Sequence, residues 1–186
     1  MSIPHLVYRN TRPELLAWRE DVQARLRACG DARDAFLDRF CTEHGGPPQG
    51  ERGTFSRGTE CTGVAWPQDT PVPKGWRRPA DDPRLIRPHL STRIGKAAQL
   101  ELDQLRWPDV QEELSRLHGM RSWAAPPMTG RYYTPGVRLE EDAVWATWGT
   151  QDVAADVEPD ATGHGWERVS LVEYLQRFGE GDSTTS

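Results

Sequence analysis

A chain of 186 residues with 36% hydrophobic and 27% charged side chains is long enough to bury one core, and its eight Trp exclude disorder. The formal charge of −5 tells against a polyanion binder that is basic throughout, and no apolar stretch approaches bilayer length, so no membrane partner is expected. The N-terminal Met1-Ser-Ile-Pro-His-Leu-Val-Tyr8 lacks a basic region followed by an apolar run, so no secretory signal is expected there.

Residues 3–8 suit a short edge strand, since Pro4 has no amide to donate. Thr11-Arg-Pro-Glu14 is a helix start, with Thr as cap, Pro in the first turn and Glu14 reaching back. Leu15, Trp18, Val22, Leu26 and Cys29 then paint one helical face. Gly30 is expected to end that helix and Asp31 to cap a second, carrying Phe36, Leu37, Phe40 and Cys41. The two together predict an N-terminal helical hairpin.

From Gly45 to Gly75 glycine and proline are frequent and no helical period survives. Thr54–Phe55 and Thr62–Trp66 are candidate short strands. Trp76–Pro79 and Leu85–His89 predict a β-hairpin turning through Ala80-Asp-Asp-Pro83. Ile94, Ala98, Leu102 and Leu105 restore a helix period before Pro108, and Val110, Leu114 and Leu117 predict another helix ending at Gly119. Residues 129–150 carry the strongest β signal: Tyr132 and Tyr133, a Pro135-Gly136 turn, and the run Ala143–Trp148. Ser170-Leu-Val-Glu173 is a capping box for a last helix that Gly179 stops. The expected fold is a single α+β domain over residues 1–178, with a disordered tail at 179–186. Its order is the N-terminal helical hairpin, central short β-hairpins and helices, then a C-terminal β-hairpin followed by a helix.

Charge is unevenly placed. Residues 74–96 carry seven basic and two acidic side chains, whereas residues 139–186 carry two basic and eleven acidic ones. Lys74, Arg77, Arg78, Arg84, Arg87, Arg93 and Lys96 on one hairpin suit phosphate neutralisation, and Trp76 among them suits stacking on a base. The favoured reading of this charge is that the hairpin pairs with the acidic C-terminal third of its own chain or of a neighbouring subunit. Tyr132, Trp145 and Trp148 are candidate anchors for a protein partner, because interfaces favour Trp and Tyr. The same rings also suit a core.

The three cysteines, Cys29, Cys41 and Cys61, are an odd, unevenly spaced set and read as free thiols of a reducing, cytoplasmic compartment. Cys41-Thr-Glu-His44 is one edge of a zinc site, but no second tight pair completes it, and buried thiols are the expected reading. No nucleophile elbow, phosphate-binding loop or metalloprotease helix is present. No catalytic residue, metal or cofactor is therefore expected, and a small enzyme of unknown class stays open as an alternative.

A wider pattern joins Val72-Pro-Lys-Gly-Trp-Arg77, Ile94-Gly-Lys96, Gly119-Met120, Pro135-Gly136 before Ala143-Val-Trp145, and Trp166-Glu-Arg168 with Glu173-Tyr174. This order resembles small uncharacterised proteins of actinobacterial phages and mobile elements, over residues 54–178. The resemblance implies an accessory or virion-associated role, in the host cytoplasm or the virion, and no catalytic site. The favoured partner is another protein, with nucleic acid as the alternative.

Overall fold

A computed structural model describes residues 4–53, 63–119, 122–123, 132–133, 136–149 and 164–179. The chain is of the α+β class and runs β1 (Pro4–Asn10), α1 (Pro13–His44), β2 (Val64–Ala65), β3 (Trp76–Arg77), β4 (Leu85–Pro88), α2 (Arg93–Gln104), α3 (Val110–His118), β5 (Ser122–Trp123), β6 (Tyr132–Tyr133), β7 (Gly136–Leu139), β8 (Val144–Gly149), β9 (Glu167–Arg168) and α4 (Leu171–Phe178). It divides into two compact units: Met1–Val22 with Asp109–Ser186, and Gln23–Pro108. The expected strand at 54–55 lies outside the described residues, as does all of the expected tail at 179–186 except Gly179.

The first unit is built on a four-stranded antiparallel sheet in the order β7-β8-β1-β9. Side chains alternate along its two inner strands, so each strand serves both faces. On one face Leu6, Tyr8, Val144, Ala146 and Trp148 pack with Leu15 of α1, Leu114 of α3 and Trp166. On the other, Val7 and Trp145 pack with Ala143, Val169 and Tyr174. Burial on both faces is why 143–148 reads as a near-continuous apolar run. The C-terminal hairpin is β7–β8, turning at Glu140–Ala143, where the Glu140 amide donates to the Ala143 carbonyl at 3.0 Å. Gly136 stands in β7 opposite Thr147 and is not part of a turn, while Pro135 lies outside the described residues.

Two expectations for the N-terminus are corrected. The strand at 3–8 is not an edge: β1 lies between β8 and β9. Pro4 is tolerated because it opens the strand, where the register shifts before Leu6. The helical hairpin is a single 32-residue helix that runs through Gly30. Glycine inside a helix costs about 1 kcal/mol relative to alanine, and packing around it offsets that. Here Cys29 Sγ donates to the Leu105 carbonyl at 3.4 Å, and Arg33 Nε donates to the same carbonyl at 2.6 Å. The Arg33 guanidinium also lies over the Trp107 ring at 5.3 Å. Contacts on both sides of Gly30 hold the helical path.

In the second unit the later turns of α1 supply Phe36, Leu37, Phe40 and Cys41 to a core shared with Val64, Trp66, Trp76, Ile86, Ala98 and Leu102. Its small antiparallel sheet has the order β2-β4-β3. Helix α2 follows the predicted period, and Thr92, which that period does not mark, caps it, its Oγ1 accepting from the Gly95 amide at 3.0 Å. Among the described residues no helix is long and apolar enough to cross a membrane.

Candidate functional site

The hairpin β3–β4 has two chemically opposite faces. Trp76 pairs with Pro88 across the strands, and both are buried. Arg77 pairs with Arg87 on the alternate positions, with Arg77 exposed and Arg87 half-buried. Like charges directly opposite each other destabilise a strand pair by roughly 0.2–1 kcal/mol. Arg87 has a distant partner in Asp81 at 3.8 Å, whereas Arg77 makes no ion pair with any described residue.

The turn acids offset only part of the hairpin's charge. Arg84 grips Asp82 with two nitrogens, at 3.0 and 3.2 Å, and this contact holds the Asp82 carboxyl below the usual carboxylate range. Both groups are on the surface, so the pair contributes little to stability.

A second group of cations surrounds the start of α2. Gly75 takes φ +91°, and its carbonyl accepts from the His89 amide at 2.7 Å. A Cβ on Gly75 would come within 2.4 Å of Ile94 Cγ2, and one on Gly95 within 2.7 Å of the Gly75 carbonyl oxygen. This close approach sets Lys74 beside the first turn of α2, where Arg93 and Lys96 stand three residues apart. All three are exposed, and none makes an ion pair among the described residues. The first turn of α2 holds no acidic residue, so its partial positive charge adds to theirs. The preceding loop is tied by Ser91 Oγ, 2.7 Å from His89 Nε2, and by Thr92 Oγ1 donating to the His89 carbonyl at 2.8 Å.

Two members of the expected basic set do other work. Arg78 is a structural hub: its guanidinium donates to the carbonyls of Trp66 at 3.2 Å, Pro83 at 2.8 Å, Gln68 at 3.1 Å and Thr70 at 3.3 Å, and also to that of Pro67. It organises the 66–70 turn and has little left for a ligand. Trp76 is only 6% exposed, with its ring 5.7 Å from Phe40, so it is not free to stack on a base. Lys74, Arg77, Arg84, Arg87, Arg93 and Lys96 remain at or near the surface.

The expected aromatic anchors are likewise displaced. Trp145 and Trp148 are 0% and 1% exposed and fill opposite faces of the first unit's sheet. Burial on both faces of β8 removes them from any partner. Tyr132 lies in β6, and its side chain is outside what the structure describes.

The Cys41–His44 edge is not assembled as a metal site. Cys41 is buried, and burial pushes its thiol up, away from the thiolate a metal needs. The His44 ring packs on Phe40 at 4.4 Å. Among the described residues no three His, Cys, Asp or Glu side chains gather to hold a metal; Cys61 lies outside them.

Charge follows the division into units. Residues 23–108 carry 14 basic and 11 acidic side chains, a net +3, while the rest of the chain carries 9 and 17, a net −8. The whole-chain charge of −5 therefore hides a cationic unit. No protein-family model matches this chain, and neither curated proteins nor solved structures gave a match.

Proposed function

We propose that this protein is a non-catalytic accessory protein that binds the phosphate backbone of nucleic acid through the cationic face of β3, β4 and the start of α2. The observation that carries this reading is Arg77 set directly opposite Arg87, on the solvent face of a hairpin, without a carboxylate for Arg77 among the described residues. A fold that keeps two guanidiniums together at a cost in stability gains if an anion bridges them. Lys74, Arg93 and Lys96 extend the charge along the contact between Gly75 and Gly95. With Trp76 buried, the reading is backbone binding without base stacking, so little sequence preference is expected. The accessory role agrees with the resemblance to phage and mobile-element proteins.

Fluorescence anisotropy with a labelled oligonucleotide tests this. Arg77→Gln and Arg87→Gln are each expected to weaken binding for all sequences alike and to reduce the salt slope by about 1. Equal affinity in wild type and the double variant would sink the reading.

Docking of another protein is the second reading, and it rests on α4. Val172 and Leu175, three residues apart, are 65% and 40% exposed there. An association carried by that face would persist at high salt, where phosphate binding fades.

A further inference from the structure

Two histidines distant in sequence meet in the first unit. His118 ends α3, and Gly119 caps it with φ +72°. The His164 ring lies against that glycine: a Cβ there would fall 2.3 Å from His164 Cδ2 and 2.6 Å from Nε2. Each histidine is also held through its backbone. Trp166 Nε1 donates to the His118 carbonyl at 2.9 Å, and the buried Asn10 side chain donates to the His164 carbonyl at 2.8 Å. The His118 ring packs edge-on against Trp18 at 5.1 Å, and its Nε2 is buried without a hydrogen-bond partner among the described residues.

We propose that His118 and His164 form an acid-released latch, which fastens the end of α3 to the turn entering β9 while the His118 ring is neutral and lets go when that ring takes up a proton. A buried ring nitrogen without an acceptor has nothing to stabilise an added proton, and a second imidazolium beside it adds repulsion. Burial first, and then His164, hold the His118 imidazolium form down, below the ordinary histidine range.

Among the described residues, charged groups also stand on the elements around the pair. From α3 itself come Glu113, which accepts from Trp18 Nε1 at 3.4 Å, and the exposed Arg116. From the link between β1 and α1 comes Arg12, whose guanidinium lies against Gly165 next to His164. Glu167 follows in β9 and pairs with Arg9. The negative end of α3 favours the cation; burial and His164 oppose it and prevail.

The sign follows from linkage. The folded His118 binds its proton less readily than the unfolded chain does, so the stability it supports is present above the ordinary histidine value of about 6.5 and is lost below it, as pH falls through the lower folded-state value. Wild-type protein is expected to show a falling Tm between pH 7.5 and 5.5, and His164→Gln, at an exposed position, to lessen that fall. Imidazole titration by NMR supplies a readout that a purely structural role would not move: His164→Gln is expected to raise the His118 midpoint. A wild-type Tm flat over this range, or a His118 midpoint indifferent to His164→Gln, would overturn the latch.

Discussion

Replacing Trp145 with alanine is expected to cost the first unit about 4 kcal/mol, because the indole is fully buried and its loss leaves a large cavity between sheet and helix. The ring sits 5.3 Å from Phe178 and 5.9 Å from Tyr174, with the guanidiniums of Arg9 and Arg177 at 5.6 and 5.4 Å. Those arginines are fixed in turn by carboxylates, Arg9 by Glu173 at 3.0 Å and Arg177 by Asp142 at 3.0 Å. Alanine would remove the surface on which α4 rests and leave both cations facing a void. Trp145 Nε1 has no hydrogen-bond partner among the described residues, so the indole contributes packing there. Trp145→Phe should therefore retain most of the stability. Urea denaturation of the two variants measures the difference. A small loss for alanine would restore Trp145 as a surface anchor and contradict the burial argument.

Gly95→Ala is expected to destabilise the second unit by about 3 kcal/mol, at the upper end of the usual overpacking range. Helix propensity alone points the other way, since alanine is favoured over glycine by about 1 kcal/mol inside a helix. The added methyl would lie 2.2 Å from the His89 carbonyl oxygen and 2.7 Å from that of Gly75. Both obstacles are backbone, and a side-chain shift does not relieve them. For the variant to fold, the hairpin must draw back from α2, carrying Lys74 away from Arg93 and Lys96. Loss of stability and weaker oligonucleotide binding are thus expected together in denaturation and anisotropy. A stabilised Gly95→Ala would mean the close approach between hairpin and helix does not exist.

The parts of this fold that local chemistry decides were legible before any coordinates. Ser170 and Gly119 mark helix ends because capping depends on a few neighbouring residues, and each does so here. The hairpin at 76–88 followed from alternation and turn residues. What failed depended on distant contacts. Gly30 carries the local signature of a stop, and Leu105 and Trp107, more than seventy residues away, override it. Pro4 looks like an edge residue, yet β8 and β9, arriving from the far end of the chain, enclose its strand.

The site was legible in the same measure. A run of cations is visible in any sequence, but nothing local separates Arg77 from Arg78. Alternation sends one to solvent, while five carbonyls from residues 66–83 claim the other. Trp145 and Trp148 resembled anchors because a strand buried on both faces shows no polar side to betray it. The meeting of His118 and His164 has no local signal at all, since 46 residues separate them.

The salt dependence of wild-type binding to a labelled duplex tests the central claim most directly. Neutralisation of phosphates by Lys74, Arg77, Arg87, Arg93 and Lys96 predicts that log K falls against log salt with a slope of about −4.5, and of about −3.5 on a single strand. A slope near zero, or no binding at low salt, would contradict the assignment of this face to nucleic acid.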